Sequence, residues 1–124
     1  MLRVPDLAAF QNLLLRGRFV IAEMSLTSQF LLDPLGRPAT AQTIIRGSRF
    51  HIFLRSVLSE AELSISIYHE VLEVATVAAD SPPEAVIGFN EGDFEQAAQS
   101  AHSRLGIASP QSLNQMLEEF GFED

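Results

Sequence analysis

The chain contains no cysteine, no lysine, no tryptophan and only one tyrosine. Without cysteine there are no disulfides, no thiol nucleophile and no thiolate zinc site, so any transition metal must be held by His, Asp and Glu. With a single tyrosine and no tryptophan the chain lacks the aromatic faces of a sugar-binding platform. No stretch reaches the roughly 18 consecutive apolar residues of a membrane span. The N-terminal MLRVPDLAAFQNLLLRGR is too polar and too interrupted for a secretory signal, so the expectation is a cytoplasmic protein that does not enter a membrane. Glycine-rich phosphate loops, nucleophile elbows and dinucleotide fingerprints are missing, as is the Glu-x-x-His spacing of carboxylate di-metal sites.

What remains is 124 residues, 47% of them hydrophobic, which is enough for one domain over 1–124 with a real core. The net charge of −8 argues against nucleic acid as a partner, because phosphate binding needs a basic footprint. Its distribution is uneven. Residues 1–55 carry seven arginines against Asp6, Glu23 and Asp33, a net of +4, whereas residues 56–124 carry Arg104 against 13 acids, a net of −12. Nine of those acids fall between Arg55 and Arg104 with no base among them. Any that are buried require a proton or a bound cation.

The pattern predicts an α+β domain. Residues 5–16 read as a short helix with Pro5 in its first turn, Leu7, Phe10 and Leu14 on one face, and Gly17 as its stop. Residues 18–26 and 28–32 read as strands, with Asp33-Pro-Leu-Gly36 as a turn. Residues 40–46 and 49–55 flank Gly47-Ser48, a pair suited to a hairpin turn, and the first half is expected to be mostly antiparallel sheet. Ser59 with Glu62 forms a capping box that opens a helix to about Ala79. A loop over 81–90 leads to a helix over 91–105, and Ser109-Pro110 opens a last one. Leu63-Ser-Ile-Ser-Ile67 alternates as a strand would. The helical spacing of Ala61, Ile65, Tyr68, Leu72, Ala75 and Ala79 extends much further and decides for helix.

On that helix Glu62, Ser66, His69, Glu73, Thr76 and Asp80 form one narrow polar stripe. His69 and Glu73 project from adjacent turns of a single face, a spacing that lets both reach one ion. Glu70 lies about 60° round from Glu73 and can overhang the same point. Imidazole and carboxylate are good zinc ligands, zinc brings a bound water toward a pKa of about 7, and a nearby glutamate can take its proton. The alternative for this stripe is a solvated helix face. His51 is expected on the outer face of the sheet. The acids of 84–95 are expected to complement the N-terminus of the following helix.

His69-Glu70-Val71-Leu72-Glu73 resembles the HExxH helix of zincin metallopeptidases, with Glu in place of the second His. The run-in, RFHIFLR followed by a short link and LSEAELSISIYHEVLEVA, resembles the small ImmA/IrrE-type zincins over residues 40–80. That resemblance implies a minimal zincin-like domain: a small twisted antiparallel sheet packed on the active-site helix, with further helices toward the C-terminus. It implies zinc as cofactor, Glu70 as general base, His69 and Glu73 as ligands, and a third ligand on the next helix. His102 is the choice for that third position, with Glu91, Asp93 and Glu95 as alternatives. It also implies a peptide or protein partner, with an extended peptide held along a sheet-edge strand for which 49–55 is the candidate. The function expected is therefore a zinc-dependent hydrolase, most readily a peptidase. The other expectations are a catalytically degenerate zincin-like interaction domain, or a structural module whose acidic half docks a basic partner.

Overall fold

The computed structural model describes residues 7–10, 13–15, 19–33, 35–79 and 81–122. A 3-10 turn at Leu7–Phe10 precedes strands β1 (Leu13–Leu15), β2 (Phe19–Thr27), β3 (Leu31–Leu32), β4 (Pro38–Ala39), β5 (Ala41–Arg46) and β6 (Arg49–Arg55). Helices α1 (Glu60–Ala78), α2 (Glu91–Leu105) and α3 (Pro110–Glu119) follow, with a second 3-10 turn at Glu84–Val86. Among the described residues no helix is long and apolar enough to cross a membrane.

The expected helix over 5–16 is not formed in its described part: Leu7–Phe10 is a single 3-10 turn and Leu13–Leu15 is a strand paired antiparallel to β2. The rest of that segment, Pro5 and Gly17 included, lies outside the described residues. A three-leucine run carries no periodicity of its own, and tertiary pairing decides its state. Residues 28–32 shrink to the two-residue β3, which pairs with β4 across a turn closed by Asp33. Asp33 Oδ1 accepts from the backbone N–H groups of Leu35 and Arg37, both at 2.9 Å.

The main sheet runs β1-β2-β6-β5. Its outer pairs are antiparallel, as the mostly antiparallel expectation has it, but β2 and β6 are parallel, so the sheet is mixed and the antiparallel sheet implied by the resemblance is corrected. The β5–β6 hairpin folds back so that β6, the more apolar arm, lies inside beside β2. Phe50, Ile52 and Leu54 of β6 are buried on one face. A register shift between Ile21 and Glu23 lets Ile21 and Met24, three residues apart, both enter the core. Strand 49–55 is consequently flanked on both sides, and the edge strands are β1 and β5.

Helix α1 packs against β5 and β6 on one flank and against α2 and α3 on the other. The anticipated capping box opens it: Ser59 Oγ accepts from Glu62 N–H at 3.2 Å, and Glu62 Oε1 accepts from Ser59 N–H at 3.1 Å. Buried positions run almost round α1, including Leu63, Ile67, Tyr68, Val71, Leu72 and Val74. One hydrophobic cluster joins the sheet, α1, α2 and α3. The two serines of the strand-like stretch are buried and bonded. Ser64 Oγ accepts from Ala108 N–H at 2.9 Å and lies 2.8 Å from His102 Nδ1, while Ser66 Oγ donates to Thr40 Oγ1 at 3.4 Å. Ser64→Ala strands a buried backbone N–H and is expected to lower stability by about 1–3 kcal/mol, read as a lower urea midpoint at unchanged m-value.

Candidate metal centre

The turn of α1 that carries His69, Glu70 and Glu73 faces the first turn of α2. A second capping box fixes that turn: Asn90 Oδ1 accepts from Asp93 N–H at 2.8 Å, and Asp93 Oδ2 accepts from Asn90 N–H at 3.0 Å. Asp93 is thereby occupied, and Glu91 and Glu95 are the acids directed at α1. Phe94 between them is buried, with its ring centroid 6.1 Å from that of His69.

His69 is the hub. Its Nε2 lies 3.6 Å from Glu73 Oε2 and 3.1 Å from Glu91 Oε2, and its Nδ1 lies 2.9 Å from Glu95 Oε1. The neutral imidazole that a metal requires donates from only one nitrogen, which leaves the second carboxylate-facing nitrogen to act as a ligand. Glu95 is suited to hold Nδ1–H, which leaves Nε2 turned toward Glu73 and Glu91. Glu95 is itself braced by Gln99, whose Nε2 donates to Oε2 at 3.0 Å. His69, Glu70 and Glu73 each offer a donor atom within 4.8 Å of the others. Glu70 Oε1 accepts from Thr43 Oγ1 of β5 at 2.9 Å, tying α1 to the edge strand.

The electrostatics follow from crowding of carboxylates. Burial, then the neighbouring Glu91 and Glu70 carboxylates, push Glu73 from 4.5 up to about 9. Burial also raises Glu70, opposed by the charge of His69 and the hydrogen bond from Thr43. Glu91 moves the other way, held down first by a hydrogen bond from Glu73 and then by His69. The metal-free centre thus keeps a proton between Glu73 and its neighbours, as acids without enough cations must. A divalent ion can replace that proton. Two ligands on one tetrahedral zinc sit about 3.3 Å apart, given bonds of about 2.0–2.1 Å. The separations of 3.1 and 3.6 Å from His69 Nε2 to Glu91 and Glu73 match that spacing.

Of the residues expected at the site, His69, Glu70 and Glu73 come together and His102 does not join them. His102 meets Ser64 instead, five residues before His69 on α1. It lies two turns, about 10 Å, along α2 from Glu95. His51 sits on the outer face of the sheet as expected, its Nδ1 3.2 Å from Glu23 Oε1. Tyr68 is fully buried, its hydroxyl 2.8 Å from Ser112 Oγ and 2.9 Å from Gly106 O. The contact that sequence reasoning missed is Thr43. Its signal was the alternation of β5, which puts Ala41, Thr43 and Ile45 on the same sheet face as their cross-strand partners Leu54, Ile52 and Phe50.

The cluster opens into a cleft of about 740 Å³ lined by β5, the β3–β4 turn and the facing turns of α1 and α2. Comparison of the chain with protein-family models, with curated proteins and with solved structures gave no match.

Proposed function

We propose that the chain is a zincin-like, zinc-dependent hydrolase that acts on peptide bonds. The observation that carries this reading is the convergence of His69 Nε2, Glu73 and the exposed Glu91 in the lining of a cleft that runs beside an edge strand. His69, Glu73 and Glu91 are the proposed ligands, with Glu91 taking the place first sought in His102. Bound zinc would supply Lewis acidity at the carbonyl to be attacked. Glu95 orients the His69 ring through Nδ1. Glu70 is the proposed general base: it takes a proton from the attacking water and passes it to the leaving amine. Its buried carboxyl, raised in proton affinity, suits that exchange, and the Thr43 hydroxyl holds Oε1 in place. The free edge of β5 is the natural rest for an extended substrate backbone.

Glu70→Gln is expected to retain zinc at about one ion per chain while hydrolysis of an unfolded protein substrate falls by about 10²–10⁴-fold. Metal content and peptide release measured on the same preparation check this. Equal activity in the variant would remove Glu70 from the chemistry. A second reading has its own observation: Glu70 is already engaged by Thr43, which suits a zincin-like fold that binds peptide without cleaving it. Zinc binding with no turnover in the unaltered chain selects that reading.

A further inference from the structure

The outer face of the main sheet is built by the residues that alternate with the core positions of its strands. On β6 these are Arg49, His51, Phe53 and Arg55, set between the buried Phe50, Ile52 and Leu54. On β5, Ile44 stands opposite His51 and Arg46 opposite Arg49. Neither Phe53 nor Ile44 belongs to the hydrophobic cluster or packs against it, and the three helices join that cluster from the other side.

Two features of this face are left unsatisfied by the chain itself. The first is charge. The sequence has 16 acids for 8 bases, and among the described residues Arg37 and Arg104 are paired, to Asp33 and Glu119. Arg46, Arg49 and Arg55, all on the outer face, have no carboxylate partner. Glu23, the acid beside them on β2, lies 3.2 Å from His51 Nδ1 instead. Arg46 and Arg49 are like charges held directly opposite each other, an arrangement that costs stability. The Nε–H of Arg55 is buried without an acceptor, its guanidinium 5.3 Å from the centre of the Phe30 ring. The second feature is cover. β2 and β6 are parallel, and parallel pairing is found chiefly in sheets covered on both faces.

We infer that the outer face of the sheet docks an acidic amphipathic helix of a partner protein. Spacing and charge define that helix. Arg49 and Arg55 stand six residues apart on one strand, about 20 Å, a length that a helix of about 13 residues spans. Its apolar stripe covers Phe53 and Ile44. Carboxylates at one end meet Arg46 and Arg49, and one at the other end gives the Arg55 Nε–H the acceptor it lacks. Guanidinium suits carboxylate through paired hydrogen bonds, and all the bases of this face are arginines. A polyanion is the poorer occupant. Three arginines on a chain of net charge −8 are too small a basic footprint for a nucleic acid or an anionic membrane. The inference is independent of the metal centre, because Thr43, which bonds to Glu70, points to the core side of the same sheet.

The test uses end-labelled helical peptides of about 18 residues. One carries a leucine stripe with glutamates at both ends, a second the same stripe with lysines at the ends, and a third the glutamates with the stripe scrambled. Binding to the full chain is followed by fluorescence anisotropy in the presence of chelator. The first peptide is expected to bind at least about tenfold tighter than either of the others, and more weakly as salt is raised. Arg49→Glu turns a like-charge pair into an opposite one, so its melting temperature should not fall. Its affinity for the first peptide is nevertheless expected to drop at least about tenfold, while the lysine peptide gains. Arg46→Glu, at the facing exposed position, carries the same expectation. Equal binding of the glutamate and lysine peptides, or affinity unchanged in both variants, overturns the inference. So does tighter binding of oligouridylate or of phosphatidylserine vesicles than of the first peptide, since the occupant would then be a polyanion. A concentration-dependent oligomer that both substitutions dissolve overturns it in favour of a second copy.

Discussion

Zinc added to the metal-free protein at pH 7.5 is expected to raise its melting temperature by about 10 °C. A ligand that binds only the native state at about 100 times its Kd adds about 2.7 kcal/mol. For a chain of 124 residues that corresponds to a shift of this size. The native state is the better binder because helix packing assembles the donors. His69 and Glu73 stand on one helix and Glu91 on another, and unfolding separates them. His69→Ala and Glu73→Ala are each expected to remove nearly the whole shift, and Glu91→Ala most of it. His102→Ala should keep it, because His102 bonds to Ser64 rather than to the cluster. Differential scanning fluorimetry of the five proteins with zinc and with chelator separates these outcomes. A shift that persists in His69→Ala, or one lost only in His102→Ala, would dismantle the centre described above.

The contrast between His102 and Glu91 shows which parts of this molecule could be read from its sequence. Local chemistry was legible. Ser59 and Ser109 each close a cap on the helix that follows. The four-residue spacing of His69 and Glu73 puts both on one face whatever surrounds them. Long-range registry was not. Glu95 and His102 are seven residues apart, two turns of the same α2 face, so helical periodicity alone assigns either to His69. Only the depth at which α2 docks against α1 chooses between them. That depth is set by Phe94, Ala98 and Ala101, all buried against the cluster that contains α1. The same reasoning covers the parallel pairing of β2 with β6. Both strands alternate acceptably, and neither carries a mark of the direction in which its neighbour runs. Glu91 illustrates a further ambiguity, since an acid in the first turn of a helix is explained equally by the helix dipole and by a partner across the interface. Here it serves both.

The stability of the metal-free protein is expected to fall as the pH rises from about 5 to about 9, and saturating zinc is expected to cancel or reverse that slope. Glu73 has an ordinary value of 4.5 and a folded value of about 9. Below 4.5 the group is protonated in both states and contributes no difference. Between the two values the folded chain holds a proton that the unfolded chain has released, so raising the pH favours unfolding. Glu70 is raised as well and adds to the same slope. Glu91 is lowered and acts in the opposite sense, its contribution being lost only as the pH falls below the ordinary carboxylate range. The metal-free optimum should therefore lie near pH 5. Glu73 is partly open to water, so the loss by pH 9 is about 2–3 kcal/mol, less than half of what the full shift would give without solvent screening. Zinc must displace the proton on Glu73, and its apparent affinity therefore increases with pH over this window. Urea titrations at pH 5, 7 and 9, with chelator and with zinc, measure both slopes. Glu73→Gln replaces the protonated acid by a neutral amide of similar shape. Its metal-free form should lose most of the slope and exceed the unaltered chain in stability at pH 9, while its response to zinc disappears. A metal-free chain equally stable at pH 5 and 9, or an unchanged slope in Glu73→Gln, would mean that the carboxylates do not crowd at a shared point and that no cation is needed there.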